Sequence, residues 1–289
     1  MSLLNKGILV RVVVHKFPFE ERDHIAEEMF ASTFGVNQKA IKMKKETLLK
    51  EYTAALDKST NAIRPFVCKF TLPWRDGGWR LLNISLIDIF ETGLKIIRDE
   101  QVTALDSLES KYQDLTLSMK TSLGILGNVK YPEFDEVRNS FGFDIKYEPI
   151  ATSGDLRVEA EAELKEKLVK EVEDYHNEKT NLAMQDVLNR IVDSISHMKT
   201  RLDEYTKLKE VGDKSPRLHK TIVENVRELV QILPFLNITD DPKIEMLRQQ
   251  MESELAGFDI ETLKENKNER EDAIKKADDI LNNISGLFS

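Results

Sequence analysis

The chain has 289 residues, 12 of them Gly and 8 Pro, with 40% apolar and 32% charged side chains and a single cysteine. That composition excludes a collagen-like, a membrane-spanning and a disulfide-built protein, and it suits long helices with much surface. The formal charge of −9 falls on residues 151–289, because residues 1–150 carry 21 acidic and 21 basic side chains, so the second half has no field that attracts nucleic acid or an anionic membrane.

At about 150 residues per domain the length allows one or two domains. The expectation is one elongated domain, 1–289, with a mixed α/β part over 1–150 and a long helical part over 151–289. The amino-terminus lacks the apolar run of a signal peptide, and no window approaches the roughly 20 apolar residues of a membrane span, which predicts a cytoplasmic protein.

Residues 7–17 are rich in β-branched side chains (Ile8, Val10, Val12, Val13, Val14) and predict a strand ended by Pro18. Residues 21–33 and 37–62 read as helices, broken near Phe34-Gly35-Val36, and Pro65 ends the second. The second opens on the most basic stretch of the chain, with Lys39, Lys42, Lys44, Lys45 and Lys50 against one acid, Glu46. These lysines form either a solvated helix face or a contact for a phosphate backbone or an acidic partner. The absence of interleaved aromatic residues weighs against nucleic acid.

Residues 66–83 read as a hairpin-like element turning on Asp76-Gly77-Gly78 and carrying both tryptophans. Trp74, Trp79 and Arg80 could recognise a ligand or simply cap a core edge. Cys68, flanked by bulky apolar residues, is expected as a small buried core side chain. A long helix over 85–122, with a break expected near Thr92-Gly93, precedes a short helix near Pro132 and a strand over 143–147. The mainly α fold therefore gains a small antiparallel sheet from 7–17, 66–83 and 143–150.

Residues 157–209 read as the dominant helix. Within it, Leu188, Ile191, Ile195, Met198, Leu202 and Tyr205 repeat at alternating steps of three and four, a two-position heptad seam. Leu164, Leu168, Val172 and Tyr175 continue it less regularly. So long a helix cannot stand on propensity alone, and it must pack along helices of its own chain or of a partner, a second copy included. After Val211-Gly212-Asp213-Lys214-Ser215-Pro216 come helices over 217–233, stopped by Pro234, then 242–256 and 260–284.

No catalytic triad, phosphate loop or metal-ligand spacing is found among the five histidines and the cysteine, so no catalytic, cofactor or metal site is assigned. Asp240-Asp241 is read as a helix cap before Pro242, with a divalent-ion loop as the alternative. His197, beside the seam, is expected to be partly buried.

Several stretches together resemble a known family: Trp79-Arg80-Leu81-Leu82, Tyr131-Pro132, Phe143 to Tyr147 with Pro149, Gly154 to Val158, and Val223 to Val230 leading into Leu233-Pro234-Phe235-Leu236-Asn237-Ile238-Thr239-Asp240-Asp241-Pro242. The chain is similar to a domain-of-unknown-function family of bacteriophages and proteobacteria of comparable length. Its members are often encoded beside a MoxR-type AAA+ ATPase and a protein with a CobT-like von Willebrand factor A domain. The resemblance implies a non-enzymatic adaptor or scaffold working with those two proteins, in the host cytoplasm if phage-encoded. It supplies no catalytic residues. The alternative is a phage effector that binds a host protein or nucleic acid through Lys39 to Lys50. The candidate partner-binding residues are Lys39, Lys42, Lys44, Lys45, Trp74, Trp79 and Arg80, and the seam could also make a homo-oligomer.

Overall fold

The computed structural model describes residues 6–127, 129–151, 162–211 and 217–287. A turn that Ser153-Gly154-Asp155 predicts from its residue types, the Gly154–Val158 stretch and Gly212 to Pro216 lie outside the described residues.

The fold is mainly α with a small antiparallel sheet. In chain order it runs β1 (Gly7–His15), β2 (Glu20–Arg22), α1 (His24–Phe34), β3 (Lys44–Glu46), α2 (Lys50–Phe70), β4 (Thr71–Arg75), β5 (Trp79–Asn83), α3 (Ile87–Glu109), α4 (Tyr112–Leu123), α5 (Phe134–Asn139), β6 (Gly142–Glu148), α6 (Ala162–Val211), α7 (Thr221–Leu236), α8 (Pro242–Glu254), α9 (Ile260–Glu265) and α10 (Lys267–Leu287). One sheet has the order β4-β5-β1-β6, and β2 pairs with β3 in a separate ribbon. The chain divides into two compact units. One comprises Met1–Arg11, Phe70–Ile87 and Tyr147–Ser289, and the other Val12–Lys69 and Asp88–Lys146.

In the second unit, Leu48, Leu56, Leu105, Leu108, Tyr112, Met119 and Val137 form one buried cluster, edged by Phe17, Phe19, Phe134 and Phe141. Burial pushes the Tyr112 hydroxyl up to about 12, and that hydroxyl donates to the Pro132 carbonyl at 3.2 Å. Two punctuation marks of the sequence behave differently from expectation here. Pro65 does not end α2, which continues to Phe70. A proline inside a helix costs about 3 kcal/mol, and burying Phe or Val side chains returns about 1.5–3 kcal/mol each. Val67 is buried, and the Phe66 ring stacks at 5.8 Å on Phe90, so continuing the helix wins. Residues 66–70 are therefore helical rather than extended. Cys68, one step from inward-facing Val67, is turned out and is exposed instead of buried.

Gly93 likewise sits inside an unbroken α3, where a Cβ would meet Phe66 Cζ at 2.1 Å. The glycine admits a ring, and the break in the long helix falls instead between α3 and α4, at Ser110 and Lys111.

In the first unit, β4 and β5 form an antiparallel hairpin, with Leu72 opposite Leu81 and Pro73 opposite Arg80. Its turn uses Gly77 and Gly78 at φ 76 and 84, left-handed values that favour glycine. β5 continues the ladder to β1, Ile8 opposite Leu82. α6 packs against β4, α7 and α10. Beneath it, α7 contributes Ile222, Val226 and Leu233, α8 Ile244, Leu247 and Met251, and α10 Ala273, Ala277 and Ile280, all buried. Pro234 lies within α7, because Leu233 and Leu236 on either side are both buried. The stretch read as one helix over 260–284 is two, divided at Asn266, which caps the second with its side chain.

Candidate functional site

The lysine-rich stretch is not a helix face. Residues 38–40 make a 3-10 turn and 44–46 form β3, which pairs with β2 in the register Glu21 to Lys45 and Arg22 to Lys44. The reason is charge. Lys44 Nζ reaches Glu20 at 2.5 Å, and Lys45 Nζ lies 3.2 Å from Glu21 and 3.5 Å from Asp23 and donates to the Leu126 carbonyl. Lys50 pairs with Glu46 at 3.5 Å. The Lys44 ammonium holds the Glu20 carboxyl below its usual range. Only Lys39 and Lys42 remain without an ion-pair partner among the described residues, so most of the positive field expected here is neutralised internally.

Trp74, Trp79 and Arg80 are brought together in the β4–β5 hairpin, but as packing. Trp74 and Trp79 are 5% and 8% exposed, and Trp74 lies 6.3 Å from the His176 ring of α6. The Arg75 guanidinium stands 5.0 Å above the Trp79 ring and pairs with Glu148 at 2.7 Å. Arg80 donates from Nε to the Thr71 hydroxyl at 2.6 Å and from Nη2 to the Thr71 carbonyl at 3.0 Å. A shallow cleft of about 210 Å³ beside them is lined by Arg75, Asp76, Trp79, Lys179 and Leu182. Its Lys179 is already bonded to Glu178 at 2.8 Å, which raises the Lys179 pKa. The hairpin therefore fastens α6 to the sheet.

The seam residues Leu188, Ile191, Ile195, Met198 and Leu202 are all buried, the last four completely. Tyr205 is half-buried, with the Arg270 guanidinium 5.3 Å from its ring centroid. Around them Lys199 pairs with Asp278 at 2.5 Å and Lys267 with Glu210 at 2.6 Å, tying α6 to α10. The seam is occupied by its own chain. His197 faces away and is exposed, not partly buried.

Asp241 caps α8, accepting from the Lys243 N–H at 2.8 Å. Asn237 closes the preceding loop, donating to the Asp241 carbonyl and accepting from its N–H, each at 2.9 Å. Asp240 adopts φ 54 and pairs with Lys6, which lowers its pKa. The Leu-Asn-x-Thr-x-Asp-Pro pattern is thus a self-closed helix start. Among the described residues no group of three or more His, Cys, Asp or Glu side chains could hold a metal ion, and no helix is long and apolar enough to cross a membrane.

One feature that sequence periodicity could not orient is α1. Glu27 is its one buried side chain. The carboxylate receives Arg22 Nε at 2.7 Å, Arg22 Nη2 at 3.0 Å and the Met43 N–H at 3.0 Å, and the Arg22 guanidinium is the main reason that its pKa falls to about 2. A carboxyl depressed on folding stabilises the fold fully above its ordinary pKa near 4.5 and loses that contribution as pH falls toward 2. Glu27→Gln should therefore flatten the loss of stability between those pH values, with little change in slope above them. Urea midpoints measured from pH 7 to pH 2 check this, and an identical acid limb in the variant would contradict it.

Comparison with protein-family models, with curated proteins and with solved structures finds no match.

Proposed function

We propose that the protein is a non-enzymatic adaptor or scaffold that binds partner proteins through exposed helix faces. The observation that carries this reading is the first part of α6. From Ala162 to Tyr175 nearly every side chain is exposed or half-exposed, while the same helix is buried from Ala183 onward. Leu164, Leu168, Val172 and Tyr175 share one face of that stretch, and Leu164 is 50% and Tyr175 37% exposed. Fewer than about 15 residues of unpacked helix are marginal in water, so an apolar stripe here suits a helix of a partner.

The resemblance to the phage and proteobacterial family supports the choice of partner, a MoxR-type AAA+ ATPase with its von Willebrand factor A protein. The chain would hold the two together or hold a substrate before the ATPase. The test is isothermal titration of the purified chain with a MoxR-type AAA+ ATPase and with a von Willebrand factor A protein of the kind encoded beside members of that family. Binding to at least one is expected, weakened by about tenfold or more in the double variant Leu168→Glu, Tyr175→Glu at unchanged circular dichroism. Binding to neither, or equal binding by the variant, would overturn the reading.

A further inference from the structure

The chain between β1 and α2 builds a cleft within the second unit. Beyond the end of β1, Phe17 and Phe19 turn inward on either side of exposed Pro18 and edge the buried cluster, their rings 5.1 Å apart and edge to face. Buried Leu48 adds to this apolar wall. Lys50, Thr53 and Asp57, three and four residues apart, share the face of α2 that borders the opening. The cleft has a volume of about 230 Å³, and Lys16, Glu20 and Glu46 also line it. That is below the roughly 300 Å³ at which sites for drug-sized ligands begin, so it suits a small molecule.

The charges of the lining select the class of molecule. Glu20 pairs with Lys44 at 2.5 Å, and Glu46 with Lys50 at 3.5 Å. Lys16 and Asp57 are left without an ion-pair partner among the described residues. The Lys16 ammonium is exposed, and the acid that it acts on, Glu20, is already held by Lys44. Asp57 is half-buried. The Thr53 hydroxyl, 3% exposed, donates to its Oδ2 at 3.0 Å and fixes the carboxylate, while Oδ1 accepts no hydrogen bond among the described residues. The cleft thus offers an unpaired cation, an oriented anion and an apolar wall. A plain acid seated here would cover Asp57 without a counter-charge, and a plain amine would do the same to Lys16. Covering an unpaired charge is costly, so a molecule that carries both charges is favoured over either. We propose that the cleft binds a free amino acid with an apolar side chain, its carboxylate on Lys16, its ammonium on Asp57 and its side chain against Phe17 and Phe19. The cleft belongs to the unit that does not contain α6. Its two rings also edge the core of that unit, and an occupied cleft stabilises the folded chain by mass action.

Isothermal titration of the full chain with phenylalanine and with leucine tests this, beside 3-phenylpropionate and phenethylamine, which are phenylalanine without one of its charges. Phenylalanine or leucine should bind with a Kd of about 1 mM or below, and the two single-charge analogues at least about tenfold more weakly. Ligand at about ten times its Kd should raise the melting temperature by about 2–5 °C. Asp57→Asn, which keeps an oxygen for the Thr53 hydroxyl, should bind phenylalanine no better than 3-phenylpropionate. Lys16→Met should bind phenylalanine no better than phenethylamine. Lys58→Met, beside Asp57 but outside the lining, should bind as the wild type does. Circular dichroism keeps loss of binding distinct from loss of fold. No heat and no thermal shift up to about 10 mM phenylalanine or leucine would overturn the proposal. So would equal binding of the acid or the amine, unchanged selectivity in either variant, or tighter binding of glutamate or lysine than of leucine. None of these results bears on partner binding through Leu168 and Tyr175.

Discussion

Ile195→Lys is expected to cost about 4 kcal/mol or more, enough to unfold a marginal protein. Ile195 lies at the middle of the regular repeat of α6 and is completely buried between Ile191 and Met198. The substitution removes an apolar side chain whose burial stabilises the fold by about 1.5–3 kcal/mol, and it places an ammonium where no carboxylate waits. His197→Lys, two residues away on the exposed side of the same helix, should stay within about 0.5 kcal/mol of wild type. Urea midpoints at one pH check both. A small effect at Ile195 would mean that the seam is not packed in the folded chain.

Arg270→Ala should lower stability by about 2–4 kcal/mol, or the melting temperature by roughly 5–12 °C. Arg270 is a buried cation, 3% exposed, held by neutral groups. It donates to the Leu263 carbonyl at 2.9 Å, the Lys264 carbonyl at 3.2 Å and the Thr206 hydroxyl at 3.2 Å, and it lies over the Tyr205 ring. It satisfies carbonyls at the end of α9 that have no helical partner, and it joins α6 to α10. Arg270→Lys should recover only part of the loss, since an ammonium lacks the planar fork that sets Nη1 on the two carbonyls and Nε on the Thr206 hydroxyl together. Full recovery by lysine in a thermal melt would show that charge alone, not the fork, is what the site uses.

The long helix, its seam and, in outline, the four strands of the main sheet were readable because each rests on local pattern. The seam alternates at three and four residues, and Val10 to Val14 have no competing pattern. What escaped the sequence was decided by partners distant along the chain. Pro65 looks like a stop, and only Phe90 and Gly93 make it worth continuing past. Cys68 moves from inside to outside once Val67 is on a helix. Lys44 and Lys45 read as a basic patch until Glu20 and Glu21, about 24 residues earlier, pair with them across a ribbon. For α1 a helix over 21–33 was expected, but which of its faces turns inward depends on the Glu27 clamp. Trp74 and Trp79 were correctly placed on a hairpin, and the His176 and Arg75 contacts then assigned them to packing.

Amide hydrogen exchange along α6, read by mass spectrometry at low micromolar protein, tests the central claim most directly. That claim is that the seam is closed by the chain itself while the helix ahead of it is left for a partner. Residues 187–202 should exchange only through global unfolding, at a rate independent of protein concentration, and residues 162–175 should exchange orders of magnitude faster. Uniform protection along the helix, or protection of 187–202 that disappears on dilution, would contradict it.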